Sequence, residues 1–317
     1  MTSEVPERKG PGLDREARRV HDEYRSVRAD RRTGIEVYFS TSPVPAETPV
    51  HVFQHTMKTA GTAVRALIYA NLSASATYIT HDAPKSAKHD DLAAWYRDFL
   101  EQFSSDEQSR LLWAVGHTAA HIAPLLGADL SAEASAEAEA LAKAAVRRPV
   151  RLFTVVRQPV DQVVSRHWFA GRLETSGVRM ELVEKLRQIY ASPIAVKRKR
   201  HEGYWNLQSQ SILAPYYDVM TLLPSRGPTA DADLWRQRLS DLVERSVLLV
   251  QDRLDEGIRW FGAEQQWPVT SLPKVRVNRG RPAVADLDPE LRAAIEEYNW
   301  LDVELYQQAV RRHDQRR

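Results

Sequence analysis

The 317-residue sequence contains no cysteine. This absence excludes a disulfide framework, a thiolate nucleophile and a zinc site with cysteine ligands. An excess of one charge is also missing, because 44 Lys and Arg residues stand against 42 Asp and Glu residues, which gives a net charge of +2. Such a balanced chain has no overall field for holding nucleic acid or anionic lipid. We therefore expect no nucleic-acid partner, and we expect any anion site to be local.

Long apolar runs are absent as well. No stretch approaches the roughly 18 apolar residues that a membrane-spanning helix needs, so the sequence predicts no transmembrane segment. The N-terminal stretch MTSEVPERKGPGLDREARR is charged and lacks the apolar core of a secretory signal. A cytoplasmic location is the resulting expectation, and the oligomeric state stays open.

Apolar and polar segments organise the chain. Residues 1–48 are interpreted as a polar N-terminal tail and helix, and residues 49–317 as a single α/β domain. Apolar, β-branched runs predict strands at 50–53, 111–115, 150–156 and 246–250. Helical patterns occupy 62–72, 91–112, 129–148, 159–170, 178–190, 231–245, 253–265 and 288–313. This alternation predicts a mostly parallel sheet with helices on both faces.

The loop 55-HTMKTAGT-62 joins the first predicted strand to a helix. A helix start presents backbone N–H groups and the positive end of the helix dipole, which together suit an anion. Gly61 permits close backbone approach, the small Ala60 keeps the loop open, and Thr59 and Thr62 add hydroxyl groups. Lys58 adds a full positive charge. The alternative is a plain strand–turn–helix junction with a surface lysine.

This loop differs from a Walker A loop in the position of its lysine. In GxxxxGK[ST] the lysine follows the second glycine, whereas Lys58 precedes Gly61. An ordinary nucleoside triphosphatase is therefore disfavoured.

A second candidate anion site is 157-RQPVDQVVS-165. Arg157 ends a predicted strand, Pro159 suits the first turn of a helix, and Ser165 lies one turn after Asp161 on the same face. The Arg157 fork and the Ser165 hydroxyl are placed to hold one phosphate from two sides. The alternative is that Arg157 only pairs with Asp161.

Together the two elements resemble the sulfotransferases that use 3′-phosphoadenosine-5′-phosphosulfate (PAPS), specifically the carbohydrate group that includes the heparan-sulfate 2-O-sulfotransferases. The resemblance covers about residues 50 to 310. Further similar segments, in the family's order, are 115-VGHTAAHI-122, 205-WNLQSQSIL-213, 248-LLVQDRLDEGIRWF-261, 274-KVRVNRGRP-282 and 299-NWLDVELYQQA-309. The resemblance implies the sulfotransferase fold with its P-loop-like core, and transfer of a sulfuryl group to an acceptor hydroxyl or amine.

The resemblance also implies roles for individual residues. Lys58 would neutralise the leaving oxygen, and the residues from Thr59 to Thr62 would hold the 5′-phosphate. Arg157 and Ser165 would hold the 3′-phosphate. His117 is the expected catalytic base, with His121 and His55 as rivals for that role.

Other assignments concern the nucleotide and the acceptor. The resemblance suggests that Arg279, Gly280 and Arg281 cover the nucleotide, and the alternative is a solvated basic turn. His55, His121, Asn206 and Gln208 are candidate acceptor-binding residues. The basic run 197-KRKR-200 is either a solvated face or an attractor for an anionic acceptor. No metal is expected, since the chemistry requires none and no HExxH-type cluster occurs.

The sequence departs from the family at four glutamine or methionine positions. Met57 stands where proline is usual, Gln158 and Gln251 replace common acids, and Gln162 replaces a common arginine. None of these changes removes a phosphate donor. The alternatives to a sulfotransferase are a P-loop-like nucleotide kinase or NTPase, and a non-catalytic relative that binds nucleotide or carbohydrate. The acceptor itself, whether a small molecule or a carbohydrate, cannot be read from the sequence.

Overall fold

The computed structural model describes residues 19, 22–24, 34–81, 89–126, 148–174, 184, 186–190, 205–217, 219, 222, 225–272 and 281–316. The strands are β1 (Ile35–Ser40), β2 (Val50–Gln54), β3 (Ala76–His81), β4 (Leu111–Gly116), β5 (Val150–Val156) and β6 (Ser246–Val250). The α-helices are α1 (Gly61–Leu72), α2 (His89–Glu101), α3 (Ser105–Ser109), α4 (Pro159–Glu174), α5 (Leu207–Leu213), α6 (Ala232–Glu244), α7 (Leu254–Glu264), α8 (Pro289–Tyr298) and α9 (Trp300–Asp314).

The six strands form one sheet in the order β3-β1-β4-β2-β5-β6. Strands β2, β4, β5 and β6 pair in parallel, and β1 runs antiparallel to both β3 and β4. The sheet is therefore mostly parallel, as the alternation of apolar runs and helical patterns predicts.

Apolar side chains alternate between the two faces of this sheet. In β6, Leu248 and Val250 belong to a core that also contains residues of α6 and α9. Val247 and Leu249 belong to a second core that contains residues of α1 and α7. Because both faces are covered by helices, the central strands can be apolar throughout.

All four predicted strands are present, and two further strands were missed. The assignment of residues 1–48 to a tail and helix placed Ile35–Ser40 outside the domain, whereas this segment is β1 and pairs with β3 and β4. A charged residue, Glu36, lies in the middle of β1 and is buried beside Arg65 of α1. β3 was missed because most of its side chains are half-buried and its pattern is mixed.

Two predicted helices are divided in the structure. The segment 91–112 contains α2, α3 and the start of β4, because Ser104 and Glu107 form a capping box that begins α3. The segment 288–313 contains α8 and α9, which meet at Asn299. The short helix α5 was not predicted.

Several predictions fall outside the described residues. These are the helix at 129–147, most of the tail at 1–34, most of the helix at 178–190, the basic run at 197–200, and Arg279 and Gly280. None of the described helices is long and apolar enough to cross a lipid bilayer.

The strand order positions the candidate site. After β2 the chain forms β3 at the edge of the sheet and then β4, which pairs with β2 on one side, and it continues to β5, which pairs with β2 on the other side. A reversal of this kind leaves a crevice at the carboxyl ends of the strands, where α/β proteins bind ligands. The loops after β2, β4 and β5 begin with His55, His117 and Arg157, so all three lie at this edge.

Candidate active site

The loop from β2 to α1 has an unusual backbone. Lys58 and Ala60 both have positive φ angles, of 69° and 65°. A left-handed conformation costs a residue with a side chain about 1–2 kcal/mol, and such conformations concentrate at functional sites. Alternation of right-handed and left-handed residues turns successive N–H groups toward a common point, which makes an anion-binding concavity. The loop therefore has the backbone geometry of an anion site.

The carbonyl groups of this loop accept hydrogen bonds from a side chain of the loop itself and from two side chains that follow β5. The Thr56 carbonyl accepts from Thr59 Oγ1 at 2.9 Å, the Met57 carbonyl accepts from Gln162 Nε2 at 3.1 Å, and the Lys58 carbonyl accepts from Arg157 Nη1 at 2.7 Å. In a trans peptide the C=O and N–H groups point in opposite directions. The N–H groups that follow these carbonyls, including those of Lys58 and Thr59, therefore point away from Gln162 and Arg157.

Helix α1 begins directly after this loop without a side-chain cap. Its N-cap residue is Ala60, whose methyl group cannot accept a hydrogen bond, while Ala63 donates its backbone N–H to the Ala60 carbonyl. Gly61 and Thr62 are the first two residues of the helix. Their N–H groups belong to the set that an α-helix leaves without intrahelical partners, so they are available to an anion.

Gly61 has a structural role that the sequence does not reveal. A Cβ atom at this position would lie 1.8 Å from Cδ2 and 2.3 Å from Nε2 of His55. Gly61 is therefore required for the packing of the His55 ring, in addition to any close approach to a ligand. His55 itself is buried, with 7% of its surface exposed.

His117 follows β4 and contacts the same loop. Its imidazole stacks on that of His55 with ring centroids 4.1 Å apart, and its Nδ1 lies 2.6 Å from the His55 carbonyl oxygen. A carbonyl oxygen only accepts hydrogen bonds, so Nδ1 of His117 carries a proton and donates it. In the neutral ring, Nε2 is then the basic nitrogen. This is the arrangement that a general base requires.

His121 lies in a different environment from His117. It belongs to a short 3-10 helix, Ala119–Ile122, and its buried ring lies parallel to that of Tyr96 at 6.4 Å. The Tyr96 hydroxyl lies 2.7 Å from Thr118 Oγ1. Of the three candidate bases, His117 and His55 are brought together at the loop, and His117 is the less buried of these two.

Arg157 connects the loop to α4. Its guanidinium contacts Asp161 through Nε at 2.7 Å and Nη2 at 2.5 Å, and contacts the Lys58 carbonyl through Nη1. The predicted Arg157–Asp161 pairing is therefore present, together with a contact to the loop. Burial lowers the pKa of Arg157, and Asp161 partly offsets this effect. Within the described residues three of its five N–H groups are used, so two can donate to a phosphate.

A second arginine converges on the same carboxylate. Arg281 forms an ion pair with Asp161 and also donates to the Asp161 backbone carbonyl at 3.0 Å. Two guanidinium groups thus share one carboxylate, which leaves a local excess of positive charge at the ends of β2 and β5. Arg281 therefore lies close to Arg157 through this shared partner, and its contact with a nucleotide stays a prediction.

Ser165 and Lys58 occupy distinct positions around this cluster. Ser165 lies one turn after Asp161 on α4 and is 1% exposed, so a contact with phosphate stays a prediction. The Lys58 ammonium lies over the Phe169 ring, 4.1 Å from its centroid.

Gln158 caps α4 by accepting from Asp161 N at 2.7 Å. The start of this helix therefore keeps a side-chain acceptor, although Gln158 stands where an acid is common in the family.

Asn206 and Gln208 contact the backbone of α9 and of Arg157, and their acceptor-binding role stays a prediction. Both are buried, at 1% and 2% exposure. The Gln208 side chain accepts from the Arg157 N–H and donates to the Arg157 carbonyl, each at 2.8 Å. Asn206 accepts from the N–H groups of Leu301 and Asp302. The Gln208 amide therefore positions Arg157, and the Asn206 carbonyl oxygen positions α9.

Asp302 completes this arrangement. Its carboxylate accepts from the backbone N–H groups of Gln208 at 3.1 Å and Ser209 at 2.7 Å, while Asn206 caps α9 in return. The starts of α5 and α9 therefore cap each other. Burial raises the pKa of Asp302 to about 6, although the hydrogen bonds act in the opposite direction. No sequence pattern marks this reciprocal contact.

Sequence reasoning also missed a buried ion pair next to the site. Arg65 of α1 is fully buried and pairs with Glu36 of β1, and its Nη1 lies 3.4 Å from His55 Nδ1. Burial lowers the pKa of Arg65, but Glu36 and the nearby tyrosines more than offset this, so the pKa is raised and the guanidinium is charged. The only available signal was an arginine within an otherwise apolar helix pattern.

The part of the chain that the structure describes contains no group of three or more histidine, aspartate or glutamate residues that could hold a metal ion. No protein-family model matches the chain, and a comparison with curated proteins also finds no match.

Proposed function

We propose that this protein is a PAPS-dependent sulfotransferase, with the sulfotransferase fold and P-loop-like core that the sequence resemblance implies. The observation that carries the proposal is the juxtaposition of three elements at one sheet edge. These are the left-handed loop at Lys58 and Ala60, the Arg157 guanidinium bonded to that loop, and the Nδ1-donating imidazole of His117.

The chain's residues fit a nucleotide with phosphates at two positions. The loop N–H groups and the start of α1 suit the 5′-phosphosulfate, and Lys58 supplies the charge that a leaving phosphate oxygen requires. Arg157 retains two N–H groups for the 3′-phosphate, and Arg281 adds a second guanidinium. A Walker A kinase is disfavoured, because Lys58 belongs to the loop before Gly61 and not to the first turn of α1.

In the proposed reaction an acceptor oxygen or nitrogen attacks sulfur as the sulfur–oxygen bond to the 5′-phosphate breaks. Nε2 of His117 takes the proton of the acceptor, a contribution of about 10²–10⁴-fold in rate. Lys58 moves from the Phe169 ring to the departing phosphate oxygen and stabilises its growing negative charge. The products are the sulfated acceptor and adenosine-3′,5′-bisphosphate.

The test is transfer of labelled sulfate from PAPS to a panel of carbohydrate, phenol and amine acceptors. We expect transfer by the wild type, and a loss of at least about 100-fold in His117→Asn with unchanged affinity for adenosine-3′,5′-bisphosphate. Lys58→Met should lower turnover more than it lowers binding. Full turnover in the Lys58 variant would contradict its role at the leaving oxygen.

A matched control distinguishes the site from general loss of positive charge. Arg151 and Arg157 belong to opposite ends of the same strand: Arg157 directly follows β5, whereas Arg151 lies near its start and pairs with Glu264. Arg151→Gln should leave nucleotide binding unchanged. Binding of adenosine-3′,5′-bisphosphate without transfer to any acceptor would instead favour a non-catalytic nucleotide-binding protein.

A further inference from the structure

We propose that His55 is a positioning residue for His117, and that the buried Arg65–Glu36 ion pair fixes His55 as a neutral imidazole with its proton on Nε2. The role of His117 as a base rests on the proposed function, whereas the arrangement of the two rings does not. The inference is argued from four contacts of one buried residue, His55: three involve its ring and one its backbone carbonyl.

The first contact sets the tautomer of His55. Arg65 Nη1 lies 3.4 Å from His55 Nδ1, and a guanidinium group can only donate. His55 Nδ1 therefore accepts, which leaves its proton on Nε2. A second proton on Nδ1 would face the fixed positive charge of Arg65, so the ring is held neutral.

The ion pair holds Arg65 in place. Arg65 and Glu36 are 0% and 1% exposed, and Tyr24 donates to Glu36 Oε1 at 2.8 Å. A buried ion pair is often no more stabilising than a pair of apolar residues of similar volume, so stability alone does not explain its presence. Its position suggests another role, because Arg65 links β1 to the loop that contains His55.

The remaining contacts connect His55 to His117. The absence of a Cβ at residue 61 lets the His55 ring lie against the start of α1. The His55 ring also stacks against the His117 ring, with centroids 4.1 Å apart, and the His55 carbonyl accepts from His117 Nδ1 at 2.6 Å. One residue thus determines both the plane of the His117 ring and which nitrogen of that ring is basic.

Two variants separate the two halves of this inference. Glu36→Gln with Arg65→Met removes both charges, keeps an acceptor for Tyr24, and leaves the His55 ring present. His55→Asn keeps an acceptor close to the position of Nδ1 and removes the stacking ring. Either variant alone keeps the inference testable if the other fails to fold.

Long-range ¹H–¹⁵N spectra of the full chain report the tautomers directly. They are recorded about two pH units above the ordinary histidine pKa of ~6.5, where exposed rings are neutral. The wild type should have His55 protonated at Nε2 and His117 at Nδ1. The double variant should have a mixture of His55 tautomers. His55→Asn keeps the backbone carbonyl, so His117 should stay protonated at Nδ1, while loss of the stacked ring should broaden the His117 ring resonances because the ring plane is no longer fixed.

A matched control is His51→Asn. His51 is buried on β2 and its ring stacks on that of Trp113 at 4.6 Å, so this change also removes a stacked imidazole but should leave the His117 ring resonances sharp. Sharp His117 ring resonances in His55→Asn, or a wild-type His55 protonated at Nδ1, would overturn the inference.

An activity measurement supplies an independent readout. Sulfuryl transfer by His55→Asn should fall by about 10-fold or more, with the affinity for adenosine-3′,5′-bisphosphate unchanged, because the base is misplaced while the phosphate loop is intact. If the spectra change as expected in a protein that transfers no sulfuryl group, the positioning role stands and the sulfotransferase proposal fails.

Discussion

Gly61→Ala tests whether the loop is packed around the His55 ring. Gly61 is the first residue of α1, and helix propensity alone would favour alanine by up to about 1 kcal/mol. The new Cβ would lie 1.8 Å from His55 Cδ2, whereas carbon atoms pack at about 3.5–4.0 Å. The ring must therefore move by roughly 1.5 Å or more against Arg65 and His117, and overpacking of this kind costs about 1–3 kcal/mol. We expect a net loss of about 1–2 kcal/mol in the free energy of unfolding.

The assay is urea unfolding of four proteins: the wild type, Gly61→Ala, His55→Ala and the double variant. Removal of the ring makes room for the new Cβ, so the double variant should be more stable than the sum of the single changes by about 1 kcal/mol. Gly257→Ala is the control, because a Cβ there meets only the Leu249 side chain, at 3.0 Å. The reasoning would be refuted if Gly61→Ala destabilised the protein no more than this control does, and if its effect on the free energy of unfolding were additive with that of His55→Ala.

Three further predictions concern strain and pH, all measured by urea unfolding. Ala60→Gly should raise the free energy of unfolding by about 1 kcal/mol, because Ala60 has φ 65°, and no gain would contradict the left-handed conformation. Burial lowers the pKa of His51 to about 3, so on acidification the unfolded chain takes up the proton first. Between pH 7 and about 4.5 the wild type should therefore lose about 2.5 kcal/mol of stability relative to His51→Gln. Burial raises the pKa of Asp302 from 3.8 to about 6, so the folded chain holds the proton more tightly. As the pH rises from about 4 to 7, the wild type should therefore lose about 2.5 kcal/mol of stability relative to Asp302→Asn. A flat difference across either pH range would contradict the corresponding burial.

The four parallel strands could be predicted from the sequence because each is a short apolar run between helical patterns. β1 could not, since its buried Glu36 is neutralised by a residue of another element, Arg65. The division between α8 and α9 likewise depends on tertiary contacts. Asn299 accepts from the Asn206 N–H at 2.8 Å, and no local stop signal comparable to glycine or proline is present.

The candidate site was predictable in location and less so in detail. The loop at Lys58 and the strand end at Arg157 come together because β2 and β5 are neighbouring parallel strands, whose carboxyl ends lie at the same edge of the sheet. Asn206 and Gln208 bond to backbone groups, a contact that sequence reasoning did not predict, because polar residues near a site can serve its backbone as well as its ligand. The contact between Gly61 and His55 spans six positions across a turn, and its geometry depends on the positive φ angles of Lys58 and Ala60. The pattern of apolar and polar residues in the sequence does not predict such a contact.

The central claim is that the loop and Arg157 hold two phosphates of one nucleotide. Calorimetric titration of the wild type and Arg157→Gln with adenosine-3′,5′-bisphosphate and with adenosine 5′-monophosphate tests it directly. We predict that the wild type binds the bisphosphate at least about 10-fold more tightly, and that the ratio falls toward one in the variant, since charge-assisted hydrogen bonds contribute about 1.5–3 kcal/mol. Equal affinity for the two nucleotides in the wild type, or a ratio unchanged by Arg157→Gln, would contradict the account.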